Sequence, residues 1–128
     1  MGYLLDTHIV LWLASSPDKI DPSVKSILEN IDSDIYFSAV NFWEIAIKNQ
    51  LDKRDFQVDS VKLYKQMLEH SFIELPVLSK HTLLLESLPN HHKDPFDRLL
   101  IAQSLDENLT LITHDASIWK YDLSVKKA

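Results

Sequence analysis

Short apolar runs alternate along this chain with longer stretches of mixed apolar and polar residues, and the two patterns predict strands and helices by turns. Tyr3-Leu4-Leu5, Ile35-Tyr36-Phe37, Phe72-Ile73-Glu74-Leu75 and Leu109 to Ile112 read as short strands, and Leu123 to Val125 can add an edge strand. Between them, His8 to Ala14 carries Ile9, Leu11, Trp12 and Leu13 and predicts a helix that Pro17 breaks. Asp21-Pro22 sets an N-cap before a proline and opens a helix to about Ile31. Ser38 can cap a helix running through Glu44 to about Gln50. Another begins at Asp59 or Ser60, with Val61, Tyr64, Met67 and Leu68 on one face. Ser79 to Leu88 and Asp97 to Leu105 read as helices, and Ser117 to Tyr121 as a short one. Strands alternating with helices predict an α/β fold, with a mainly parallel sheet covered on both faces. Ligands of such sheets bind beyond the carboxyl ends of the strands.

The 128 residues suit one domain spanning 1–128, with a core that needs no staples. Cysteine is absent, which excludes disulfides and thiolate metal sites, and the six histidines lack a helical H-x-x-x-H spacing. Gly2 is the sole glycine, so the glycine-rich phosphate loops of nucleotide-binding folds are excluded. No run reads as a signal peptide or approaches the roughly 20 apolar residues of a membrane span, and a cytoplasmic protein is expected. A net charge of −6 argues against a general nucleic-acid coating protein, but carboxylates neutralised by cations are compatible with a nuclease.

Four carboxylates carry the candidate chemistry. Asp6 follows the first strand, Glu44 lies in Phe42-Trp43-Glu44-Ile45-Ala46, Asp97 in Asp94-Pro95-Phe96-Asp97-Arg98-Leu99, and Asp115 follows Leu111-Ile112-Thr113-His114. Acids gathered in one small domain repel one another unless a cation holds them, and hard oxygen ligands suit Mg²⁺ or Mn²⁺. Each position has a plainer reading. Asp6 can cap a helix, with Thr7 orienting it in either case. Glu44 can pair with Lys48 one turn on. Asp94 can cap the helix that carries Asp97, and Arg98 can pair with either acid. Asp115 can cap the turn from Ala116 to Trp119. His114 reads as a solvated side chain before a base, and His91 and His92 as a solvated or phosphate-touching loop before metal ligands. Lys48, Lys93 and Arg98, with Lys53, Arg54 and Lys120, are candidate phosphate contacts. Trp12, Trp43 and Trp119 read as core or interface residues.

Four blocks in order resemble a known family. Tyr3-Leu4-Leu5-Asp6-Thr7-His8 resembles the opening of PIN domains, specifically the VapC-type toxins of bacterial toxin–antitoxin pairs. Ser38 to Lys48, His92 to Gln103, and Leu111 to Asp115 are similar to the second, third and fourth blocks. The resemblance implies an α/β/α sandwich and a metal-dependent endoribonuclease binding Mg²⁺ or Mn²⁺ through Asp6, Glu44, Asp97 and Asp115. Thr7, Ser38, Asp94 and Thr113 would support those acids. It further implies an RNA substrate, a cognate antitoxin, and homodimers that assemble with it. The competing reading is a catalytically silent PIN-like module that binds RNA or protein. A receiver or a haloacid-type phosphatase fits less well, because Thr113-His114-Asp115 holds no Lys and Asp6-Thr7-His8 lacks Asp-x-Asp.

Overall fold

The structure is a computed structural model that describes residues 2–51 and 56–128. Five strands form one parallel sheet: β1 (Gly2–Leu5), β2 (Asp34–Ser38), β3 (Ile73–Leu75), β4 (Thr110–Thr113) and β5 (Val125–Lys127), in the order β3-β2-β1-β4-β5. Registers pair Leu4 with Tyr36 on one side of β1 and with Leu111 on the other. Six α-helices connect the strands: α1 (Thr7–Ser15), α2 (Pro22–Glu29), α3 (Ala39–Gln50), α4 (Ser60–Glu69), α5 (Ser79–Leu83) and α6 (Pro95–Glu107).

Successive strand residues point to opposite faces, and the apolar residues divide accordingly. Leu5, Ile35, Phe37 and Ile112 pack with Ile9 and Val10 of α1, Val24 of α2, Ile45 of α3, and Leu63 and Met67 of α4. Leu4, Leu75 and Leu111 pack on the other side with Val40 and with Leu99, Leu100 and Ile101 of α6. Both faces are therefore covered, which makes three layers. Strands buried on both faces explain why the sequence shows continuous apolar runs there instead of alternation.

Local chemistry sets where helices begin. The Asp6 carboxylate caps α1 and that of Asp21 caps α2, with Pro22 next. Ser38 Oγ accepts from the Val40 amide at 3.0 Å, while the Ser38 amide donates to Asn41 Oδ1 at 2.8 Å, a reciprocal capping box for α3. Asp94 Oδ1 accepts from the amides of Phe96 and Asp97 at the start of α6. Helix α6 ends at Asn108, whose φ of 55° is the left-handed conformation that asparagine tolerates.

Several predicted elements shift. The helix expected over Ser79–Leu88 is α5 followed by a 3₁₀ turn, Leu84–Ser87. Helix α2 stops at Glu29 and leaves Ile31 exposed. Helix α6 starts at Pro95 rather than Asp97, because Asp94 caps it. On α4 the buried pair is Leu63 and Met67; of the expected face Met67 is buried, Tyr64 lays its ring against Phe37, and Val61 and Leu68 are exposed. The edge strand β5 lies two residues later than expected. Among the described residues, no helix is long and apolar enough to cross a membrane.

Phe37 is fully buried, with the rings of Phe42 and Tyr64 edge-on to it. Phe37→Ala removes that packing and leaves a cavity, and should lower the unfolding free energy by about 3–5 kcal/mol in urea denaturation. A loss below about 1 kcal/mol would mean that the site collapses around the smaller residue.

Candidate active site

The strand order reverses direction at β1. The chain runs from β1 to β2 and β3 on one side, then returns to place β4 and β5 on the other. At such a switch point the loops beyond the strand ends diverge and leave a crevice. Asp6 is the first residue past β1, and Asp115 is the second past β4, so hydrogen bonding between these neighbouring strands brings the two ends together. Glu44 reaches the same rim from α3, and Asp97 from the first turn of α6.

Asp6 is buried. Its Oδ1 accepts from the Thr7 amide and its Oδ2 from the Thr113 hydroxyl, both at 2.6 Å. The Thr113 oxygen in turn accepts from the Asp115 amide at 3.0 Å. One hydroxyl thus fixes the relation between acids 109 positions apart in the chain (115 − 6). Burial raises the Asp6 pKa above the usual carboxylate value, against the pull of the Thr113 and Thr7 hydrogen bonds and the His8 charge.

Glu44 is buried, and its Oε2 lies 3.3 Å from Lys48 Nζ. Among the described residues no hydrogen-bond partner reaches its Oε1, which is also buried. Such an orphan acceptor is expensive unless something outside the chain satisfies it. Asp97 is pushed up to about 8, first by burial and then by the charges of Asp6, Asp94, Glu44 and Asp115. Asp115 goes the other way. Burial would raise its pKa, but the hydrogen bond from His92, the Ser117 amide and the charges of His92 and His8 together outweigh it. Without a counter-ion, then, the rim holds more negative charge than its own donors balance. Among the described residues the ligand atoms of His92, Asp97 and Asp115 lie within 4.8 Å of one another, while Asp6 and Glu44 reach Asp97 through their charges. The oxygen-rich chemistry of the acids, with an unsatisfied buried acceptor on Glu44, fits a hard divalent cation that Asp6, Glu44, Asp97 and Asp115 could hold.

The supporting residues act at different distances. The Thr7 hydroxyl accepts from Asn41 Nδ2 at 3.0 Å, and the same amide nitrogen donates to Leu5 O at 3.2 Å. Asn41, missed by sequence reasoning, therefore ties α3 to the end of β1, one turn before Glu44. Ser38 touches no acid. Its hydroxyl donates to Gln103 Oε1 at 2.6 Å and joins the end of β2 to α6. Asp94 is the cap that presents Asp97.

Some expectations change. Arg98 pairs with neither acid: its guanidinium donates to the carbonyls of Leu85, Pro89 and His92 and to the Tyr121 hydroxyl. Lys48 is engaged by Glu44, whereas Lys93 is exposed on the loop before α6; Lys53 and Arg54 lie outside the described residues. His92, expected in solvent, sits inside the cluster, with Nε2 2.8 Å from Asp115 Oδ2 and 2.9 Å from Asp97 Oδ2. The only local signal for it is His-x-Asp-Pro, which sets the ring two residues before the cap so that Nδ1 can accept from the Asp94 amide at 3.0 Å. His114 turns away from the acids, toward Ala128 O and the Trp12 ring.

A parallel three-layer sheet with acids gathered at its switch point defines an α/β protein of the carboxylate-site type. The chain belongs to the PIN domain family, whose sequence profile matches residues 3–122. It is 24% identical over 115 residues to ribonuclease VapC22 of Mycobacterium tuberculosis (strain ATCC 25618 / H37Rv), covering 88% of this chain and 85% of that protein. Its fold is similar to a chain in the crystal structure of VapBC2 from Rickettsia felis bound to a promoter DNA fragment, with TM-score 0.75, 18% identity, and 99% and 98% of the two chains covered. It is also similar to a chain of FitAcB from Neisseria gonorrhoeae, with TM-score 0.61, 22% identity, and 96% and 95% covered.

The raised Asp97 pKa has a stability consequence. Between its unfolded value near 3.8 and its folded value of about 8, the folded protein keeps a proton that the unfolded chain has released. In metal-free buffer, stability from this group therefore falls as pH rises across that window. Asp6, also raised, acts in the same sense, and Asp115 acts in the opposite one. Asp97→Asn should lose less stability than the native chain between about pH 5 and pH 8, measured by denaturation with chelator present. Parallel stability profiles would show that Asp97 carries no such proton.

Proposed function

We propose that this chain is a divalent-metal-dependent endoribonuclease, the toxin of a toxin–antitoxin pair. The observation that carries the reading is the buried Glu44 Oε1, which has no hydrogen-bond partner among the described residues although the charges of Glu44, Asp6 and Asp115 all bear on Asp97. The family membership and the likeness to a ribonuclease support it. Asp6, Glu44, Asp97 and Asp115 would hold Mg²⁺ or Mn²⁺. When bound, such an ion activates water and offsets the charge that develops on a phosphodiester during in-line displacement.

The chain's own groups do the positioning. Thr113 and the Thr7 amide hold the Asp6 carboxylate by both oxygens, so it cannot rotate out of the rim. Asp94 sets the first turn of α6 and with it the direction of Asp97. Ser117 and Thr113 orient Asp115 through its carboxylate and its amide. Asp97, the acid most burdened by its neighbours, is the one suited to take and return a proton near neutral pH once a cation relieves part of that burden. Lys93 is exposed beside the rim and suits a contact with the RNA backbone.

A protein partner is supported by the likeness of the fold to chains of VapBC2 from Rickettsia felis and of a toxin–antitoxin complex from Klebsiella pneumoniae. Trp43 and Ile47 on α3 and Leu51 at its C-cap, exposed at one-turn spacing beside Glu44, form an apolar row of the kind that a second copy or an antitoxin covers. An antitoxin seated there would stand over the rim, where a cationic side chain is drawn by the acids. Cytoplasmic residence follows from an RNA substrate.

Purified, antitoxin-free protein should cleave total cellular RNA with Mg²⁺ or Mn²⁺ and not with EDTA. Asp6→Asn and Asp97→Asn should each slow the cuts by at least about 100-fold while circular dichroism stays unchanged. Native-rate cleavage by either variant would remove the acids from the mechanism. The product of the neighbouring gene, co-purified with the chain, should suppress cleavage; a stable complex with full activity would separate the nuclease from the toxin–antitoxin reading.

A further inference from the structure

The loop between the 3₁₀ turn and α6 delivers the His92 ring into the acid cluster, and contacts at both ring nitrogens fix what it can do there. The Asp94 amide donates to Nδ1 at 3.0 Å, so Nδ1 presents a lone pair and the ring proton sits on Nε2. Nε2 donates to Asp115 Oδ2 at 2.8 Å and lies 2.9 Å from Asp97 Oδ2. Two carboxylate oxygens from different elements therefore lie within 2.9 Å of one ring nitrogen. Asp97 and Asp115 would also be ligands of a cation held at this rim, and a nitrogen that carries a proton has no lone pair to give it.

The loop backbone is tethered independently of the ring. The His92 amide donates to the Tyr121 hydroxyl at 3.0 Å. Arg98 grips the carbonyls of His92, Pro89 and Leu85. The side chain is 15% exposed, so one edge of the ring meets solvent. Other charged groups facing the ring are Asp97 and Asp115 themselves and Asp94, which joins it through its amide.

We propose that His92 is a positioning residue that holds the place of the cation: its Nε2–H holds the Asp97 and Asp115 carboxylates together in the metal-free protein and gives way to the ion without becoming its ligand. The inference rests on reading the cluster as a metal site. It gives His92 two measurable effects. Its hydrogen bond to Asp115 and its close contact with Asp97 keep the two acids in register before the ion arrives, and both compete with the ion for the same oxygens. A ligand would strengthen metal binding, whereas a competing donor weakens it.

The experiment is a titration of the metal-free full chain with Mn²⁺, followed by the electron paramagnetic resonance signal of the free ion, for the native protein and His92→Ala. Loss of the competing donor should tighten Mn²⁺ binding about tenfold. Weaker binding would make His92 a ligand, and unchanged binding would leave it without the role; either overturns the proposal. Because His92→Ala also removes apolar contact, the native chain supplies a second measurement. With the histidine nitrogens labelled with ¹⁵N and the pH held fixed, saturating Mg²⁺ should shift the Nε2 resonance of His92 while the nitrogen keeps its proton. Loss of that proton on Mg²⁺ binding, or no shift at all, overturns the proposal. Absence of Mn²⁺ uptake by both proteins would instead remove the metal site and the nuclease reading with it.

Discussion

Carboxylates buried beside one another repel, and that repulsion is the constraint to which the rim of this sheet is built. The parallel pairing of β1 with β4 forces Asp6 and Asp115 together, and α3 and α6 add Glu44 and Asp97. Most polar contacts nearby answer the resulting charge. Thr113 donates to Asp6 and accepts from the Asp115 amide, Thr7 donates its amide to Asp6, Lys48 takes one oxygen of Glu44, and His92 stands between Asp97 and Asp115. The donors are still too few. Glu44 Oε1 has no partner among the described residues, and Asp97 holds its proton up to about pH 8. Both deficits have the same sign and the same place. A folding core gains nothing from such an arrangement, because neutral residues of similar size would pack there without the desolvation penalty.

Helix starts do the construction. Asp6 caps α1 and faces the cluster with the same carboxylate, so the cap and the site reading of that residue are one geometry. Asn41 closes the capping box of α3 and holds Thr7, which fixes the turn that carries Glu44. Asp94 caps α6 and brings its amide to His92. Amide groups at these helix starts also favour anions, which eases the crowding of acids at the rim.

This division explains what the sequence discloses. Short apolar runs bounded by polar residues mark β1, β2 and β4 because strands buried on both faces have no other way to be written. Asp-Pro before α2 and α6, and Ser38 before α3, mark helix starts because capping is decided within three residues. Placement of the acids beyond strand ends follows from those boundaries. Contacts made across the chain were not legible. The face of α4 was misread because Val61, Tyr64 and Leu68 fit a helical stripe as well as Leu63 and Met67 do, and only the position of α4 against the sheet decides between them. The single helix over Ser79–Leu88 failed because its apolar residues fit both an α-helix and a 3₁₀ turn. His92 stayed hidden because its ring position depends on Tyr121 and Arg98, which hold the loop from elsewhere.

The segment Asp94-Pro95-Phe96-Asp97-Arg98 shows how closely site and fold are joined. Asp94 caps, Pro95 takes the first helical position where no amide is needed, Phe96 packs edge-on against Trp43 of α3, Asp97 enters the rim, and Arg98 grips the preceding loop. Neighbouring residues on a helix point about 100° apart, so the two charges of Asp97 and Arg98 serve different partners although they are adjacent in sequence. The arginine does not neutralise the aspartate; it is turned to the carbonyls of Leu85, Pro89 and His92. That choice keeps Asp97 burdened by its acidic neighbours while fixing the loop that supplies His92. A pairing of Asp97 with Arg98 would have quieted the rim electrostatically and left the loop untethered. The observed arrangement does the reverse on both counts.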